Sequence, residues 1–149
     1  MKGTHILWAS MLTLAIGAAY VARTTPNMHT GMPTLRIGDH ILRLLIARTP
    51  DEITKGLSGH AKLPQDMGML FYFDTPGIYP FWMPNMRFPL DIIWIRDGVV
   101  QEIAQLGAPI SGQPIPLYTP SVKADHVLEI DAGQAAAYGF IPGAKVVLP

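Results

Sequence analysis

The stretch 67–95, MGMLFYFDTPGIYPFWMPNMRFPLDIIWI, constrains the fold more than any other part of the chain. Residues 68–74 alternate, with Met69, Phe71 and Phe73 pointing one way and Leu70 and Tyr72 the other. Both faces are apolar, which predicts a strand inside a sandwich. Thr75-Pro76-Gly77 turns the chain. Residues 79–83 form a second short strand, which Pro80 and Pro84 confine to an edge. Residues 90–96 form a third, with Leu90, Ile92 and Trp94 on one face and Asp91, Ile93 and Ile95 on the other. Asp97-Gly98 is a hairpin signal, and residues 99–104 return from it.

The remaining segments are equally short. Residues 34–37 and 40–47 are β-branched and apolar around Gly38-Asp39, predicting a hairpin. Thr49-Pro50-Asp51-Glu52 predicts a helix start: Thr49 caps, Pro50 takes the first position and Glu52 completes a capping box. Gly56 and Gly59 end that helix after about two turns. Residues 105–120 carry four prolines and two glycines without periodicity and read as a long loop. Residues 122–130 resume as strand, Asp131 is placed to cap a short helix ending at Tyr138-Gly139, and residues 144–148 close the chain as strand. Some eight short strands predict a mostly β, compact antiparallel sandwich or barrel-like domain with two short helices.

The N-terminus is of another kind. Lys2 precedes an uncharged apolar run, residues 6–22, closed by Arg23. Residues 1–23 therefore read as a signal peptide or an N-terminal membrane anchor. Cleavage after Ala19 fits the small residues Gly17-Ala18-Ala19, and a run of about 17 residues also stands at the lower limit for spanning a bilayer. Both forms imply an exported, periplasmic or extracytoplasmic protein that meets the membrane only through this segment. Residues 24–33 form a polar linker and residues 34–149 a single β-rich domain. Without Lys2 and Arg23 the chain carries nine basic against eleven acidic residues, with no basic stripe, which argues against nucleic acid as a partner. Cysteine is absent, so disulfides, thiolate metal sites and cysteine nucleophiles are excluded.

Gly56-Leu57, Leu63-Pro64, Gly68-Met69-Leu70-Phe71, Phe73, Phe81-Trp82-Met83, Asn85 and Pro89-Leu90-Asp91-Ile92 stand in one recurring order. Val127-Leu128-Glu129, Gly133, Gly139 and Gly143 continue it. With these motifs the chain resembles, over roughly residues 35–148, the family called domain of unknown function 192. The resemblance implies a compact, mostly β sandwich-like domain and no particular reaction. The chain departs from the family pattern at Ser58 and His60, where an arginine is usual nearby, and at Pro84 and Met86, which replace a lysine and a threonine. Ile110 replaces a cysteine and Ala144 an aspartate.

Asp91 interrupts an apolar strand, and burying an unpaired carboxylate is costly. In one reading loop amides or Arg87 satisfy it, and it fixes the loop 84–89. In the other, Asp91, Asn85 and Arg87 are the polar groups of a ligand pocket walled by Phe81, Trp82 and Trp94, with residues 105–120 as lid or rim. The domain is then a ligand-binding or interaction module for a small molecule, peptide or protein, with no cofactor. An alternative of a different class is copper(I) handling by Met67, Met83, Met86, His60 and His126, since thioether and imidazole suit that ion. Met28, His29 and Met32 repeat the composition in the linker, although methionine is chiefly a core filler beside aromatics. Ser58, His60 and Asp66, or Ser121, Asp125 and His126, supply hydrolytic residue types without a nucleophile elbow, so the chain reads as a binder rather than an enzyme.

Overall fold

The computed structural model describes residues 31–149. The apolar segment 6–22, its cleavage site and linker residues 24–30 lie outside the described residues. No helix among the described residues is long and apolar enough to cross a membrane. The elements run β1 (Thr34–Ile37), β2 (His40–Ala47), α1 (Pro50–Lys55), β3 (Met67–Gly77), β4 (Phe81–Trp82), β5 (Leu90–Arg96) and β6 (Val99–Leu106). β7 (Leu117–Tyr118), β8 (Ala124–Asp131), α2 (Gln134–Ala137) and β9 (Val146–Val147) follow. Seven strands form one curled sheet in the order β6-β5-β8-β3-β2-β1-β9, while β4 pairs with β7 in a small second sheet. The domain is mostly β, a half-barrel with a short ribbon laid against it.

The turn chemistry sets the local geometry. Asp97 and Gly98 both take positive φ, 52° and 68°, and Arg96 pairs with Val99 across them. That is the backbone of a two-residue type I′ hairpin, whose twist matches its strands. At α1 the capping box is complete: Thr49 accepts from the Glu52 backbone N–H, and the Glu52 carboxylate accepts from the Thr49 N–H. α1 carries the chain from β2 to β3, and these two strands pair in parallel, the one exception in the seven-stranded sheet. Residues 105–120 are not wholly irregular, as β6 runs on to Leu106 and β7 pairs with β4. A two-residue strand has no periodicity of its own to read.

Asp131 does not cap the second helix. It ends β8, and Gly133, left-handed at φ 87°, holds the cap position of α2 without any side-chain bond. The Ala135 N–H instead donates to Asp91 on β5, 2.9 Å away. The cap comes from the far side of the sequence.

Alternation on the three central strands produces two cores. On one face Met69 and Phe71 of β3, Val127 of β8, and Leu90, Ile92 and Trp94 of β5 pack beneath Leu57, Phe81, Met83 and Met86. On the other, Leu70, Leu128, Ile130, Ile93 and Ile95 pack beneath Ala135 and Phe140. Trp94 is fully buried, and its indole N–H donates to the Tyr79 carbonyl at 2.9 Å, so its polar edge is satisfied.

Where β3 meets β8 there is no space for a side chain at Gly68. A Cβ there would lie 2.9 Å from the Glu129 carbonyl oxygen and 2.8 Å from Leu128 Cδ1. Gly68→Ala is expected to cost about 1–3 kcal/mol by overpacking. Gly107, whose Cβ position is open, should tolerate alanine within about 0.5 kcal/mol. Urea unfolding of the two variants checks the contrast.

Candidate functional site

Two carboxylates interrupt the apolar strands of the central sheet, and the structure treats them in opposite ways. Asp91 lies on the face that carries Ile93 and Ile95, under α2. One of its oxygens accepts from the Ala135 N–H and the other from Gln105 Nε2, both at 2.9 Å. It therefore ties β5, β6 and α2 together. It fixes neither the loop 84–89 nor Arg87, which is exposed. Phe81 and Trp94 belong to the opposite face, so Asp91 shares no pocket with them.

Glu129 is the second interruption; it stands in the motif Val127-Leu128-Glu129 but was not among the candidate site residues. It sits in the middle of β8, directly across from Met69 on β3 and Ile92 on β5. Its neighbours on that face are apolar, and only 5% of the residue is exposed. Its Oε2 atom is buried without a hydrogen-bond partner among the described residues. Burial alone pushes its carboxyl up to about 8, because an ion in an apolar surround loses its hydration and here gains nothing in return.

Above Glu129 is a narrow pocket of about 30 Å³. Its floor is Glu129 and Phe71, and its walls are the end of α1 with Gly56, Leu57 and Ser58, and the segment that carries Phe81, Trp82, Pro84 and Met86. Local bonds hold these walls in place. Ser58 Oγ donates to the Pro84 carbonyl at 2.8 Å, and the Gly59 N–H donates to the Asn85 carbonyl at 3.2 Å. Asn85 makes this turn in the left-handed region, φ 56°. Gly56 also has positive φ, 47°, and a Cβ there would stand 3.3 Å from the Phe71 ring and 3.8 Å from Glu129 Oε2. A side chain at 56 would therefore press on Phe71 and cover the carboxyl further.

A larger groove of about 240 Å³ adjoins this pocket and shares Ile53, Thr54, Phe81 and Trp82 with it. Phe73 and Tyr79 line it, stacked 3.6 Å apart, together with Pro80. Phe81 stands edge-on to Phe71 at 5.0 Å between the two chambers, while Trp82, 55% exposed, forms the rim. The cleft thus has an apolar aromatic outer part and a single buried acid at its inner end. Of the side chains expected to form a pocket, Phe81 and Trp82 line it, and Asn85 buttresses it through its backbone. Trp94 is core, Asp91 is on the other face, and Arg87 is exposed beyond it.

His126 stands on the opposite face of the sheet from Met83 and Met86. Met83 is fully buried in apolar packing, and Met67 and Met86 are buried too. His126 has its Nδ1 2.7 Å from Asp125 Oδ1 and its ring edge-on to Tyr72. His60 is half-buried beside Lys55 and Ser58. The hydrolytic sets do not assemble either. Asp66 accepts from the Tyr138 hydroxyl at 2.8 Å, and Ser121 Oγ donates to Glu102 at 2.7 Å.

The two carboxylates predict different variants. Asp91→Ala leaves the Ala135 N–H and the Gln105 amide without their acceptor and is expected to lose about 1–3 kcal/mol. For Glu129 the folded-state value lies above the ordinary 4.5, so the native state holds a proton that the unfolded chain releases. Its contribution is fully present below about pH 4.5 and is lost progressively as pH rises to about 8. Over that window the slope is about −1 kcal/mol per pH unit. Glu129→Gln should abolish it, as measured by urea unfolding at several pH values. Parallel curves for the two proteins would show that Glu129 is charged in the native state.

No curated protein matches the chain. Solved structures share its fold, two of them as follows. One, a protein of unknown function from Novosphingobium aromaticivorans, is 34% identical over 76% of this chain and 83% of that one, with a TM-score of 0.69. The other, described as a putative transcription regulator from Sinorhizobium meliloti, is 27% identical over 78% of this chain and 92% of that one, with a TM-score of 0.71. A family model, DUF192 (uncharacterised ACR), matches residues 33–148. Gly56, Phe71, Phe81, Trp82 and Glu129, distant in sequence and all part of the pattern that carries the resemblance, meet at one cleft, and the chain belongs to the DUF192 family.

Proposed function

We propose that this domain is a ligand-binding module of an exported protein, and that its site is the cleft between α1 and the β4 ribbon. The observation that carries this reading is the Glu129 carboxyl, buried and unpartnered at the inner end of an aromatic groove. Unpaired polar atoms in a protein interior are destabilising, and a bound molecule is one way to satisfy them. Aromatic walls around one placed polar group are the ordinary composition of a small-molecule site. Export rests on the charged start and apolar run of residues 1–23. The regulator description of the Sinorhizobium meliloti protein finds no support here in a basic surface, since the chain's charge balances at zero.

The test is a fragment screen by NMR on the full chain, read at the indole N–H signals. Trp82 on the rim and Trp94 in the core report separately. Ligands of the cleft are expected to shift Trp82 and leave Trp94 nearly unmoved, and to lose that effect in a Trp82→Ala protein read at Phe71 and Phe81. Hits that gather instead around Asp91 and Phe140 would contradict the assignment.

A further inference from the structure

The chemistry of the cleft narrows what it can hold. We infer that it takes a ligand with a protonated amine head and an apolar body, the ammonium against the Glu129 carboxyl and the body along Phe73, Tyr79 and Trp82. This rests on the reading of the cleft as a binding site.

The unpartnered carboxyl oxygen carries the argument. Glu129 is a carboxyl with no cation beside it. From β3 it is faced by Met69 and Phe71, from β5 by Ile92, and from the ribbon and following turn by Phe81, Trp82 and Met86. Lys55, at the end of α1, is the one charged side chain besides Glu129 that lines the pocket. It is exposed and makes no ion pair with Glu129. An anionic head would find one acid proton at the inner end and no arginine to receive it. An ammonium would meet an unpartnered carboxyl oxygen in a desolvated setting, where such a bond is strong. Phe71, Phe81 and Trp82 around it supply aromatic surface that favours a cation over an anion. Gly56 places no side chain over Oε2, where a Cβ would stand 3.8 Å from it, and the oxygen is closed to solvent until a head group enters.

The ionisation of Glu129 gives this ligand class a signature. In the empty cleft the carboxyl holds its proton up to about pH 8. An ammonium binds the ionised form, so binding expels that proton. Apparent affinity should then rise about tenfold per pH unit below pH 8 and level off above it, falling again only when the amine itself loses its proton, near pH 10. A ligand that accepts a hydrogen bond from the protonated acid shows the opposite trend.

The experiment titrates the full chain with 2-phenylethylammonium, 3-phenylpropanol and 3-phenylpropanoate at pH 6, 7 and 8.5, read at the Trp82 indole. The expected result is binding of the ammonium at least tenfold tighter than the other two at pH 8.5, tightening with pH from 6 to 8. Glu129→Gln, whose fold is checked by its melting curve, should remove both the preference and the pH dependence. Trp82→Ala should weaken all three probes while retaining the ammonium's preference, read at Phe71. Equal affinities, or an alcohol or carboxylate favoured at low pH, would overturn the ammonium assignment and leave the cleft as a binding site. No response to any of the three would overturn both.

Discussion

The fold depends on β8 being buried on both faces. β8 lies between β5 and β3 in the sheet, so its stretch 127–130 is buried on both faces, with no solvent side for a charge. Val127 packs toward Phe71 and Trp94, while Leu128 and Ile130 pack toward Leu70, Ile93 and Ala135. A strand with no solvent face has no neutral place for a charge. Glu129 on such a strand is a local conflict with the rest of the design, and conflicts of that kind mark sites whose residue choice answers to something other than folding. The same conflict at Asp91 is resolved within the protein, since a helix N–H and a glutamine amide use its two oxygens. One carboxylate does structural work, and the other is left with an oxygen for something else.

Much of the fold was legible. The Asp97-Gly98 hairpin, the α1 capping box and the alternation of β3 and β5 are written in residues adjacent in the chain, and local chemistry decides them. What escaped is what depends on distant partners. β7 is two residues long and exists because β4 lies beside it. The second helix takes its cap from Asp91, 44 residues before Ala135, so the nearby Asp131 was a misleading candidate.

The site was half legible for the same reason. Phe81 and Trp82 announced themselves as aromatic residues beside prolines on an edge, and they do form the cleft. Grouping Asp91 with Trp94 ignored the alternation of their own strand, since residues three apart on a strand face opposite ways. Glu129 carried the same signal as Asp91, an acid inside an apolar run, Val127-Leu128-Glu129-Ile130. No single-sequence rule separates the satisfied carboxylate from the orphaned one, because the difference lies in what α2 and α1 place above them. Pro84 and Met86, which stand where the family pattern has a lysine and a threonine, line the cleft. Pro84 brings no charge to the cleft.

Everything drawn from the cleft depends on Glu129 being held uncharged beneath it. A carbon-13 NMR titration of the Glu129 side-chain carboxyl in the full chain measures this, with the Glu129→Gln protein identifying the signal. A midpoint near 8 is expected, well above the ordinary carboxylate range. A midpoint near 4.5 would mean that water or a cation reaches the carboxyl in the resting protein, and both the orphaned acid and the ligand class drawn from it would fall.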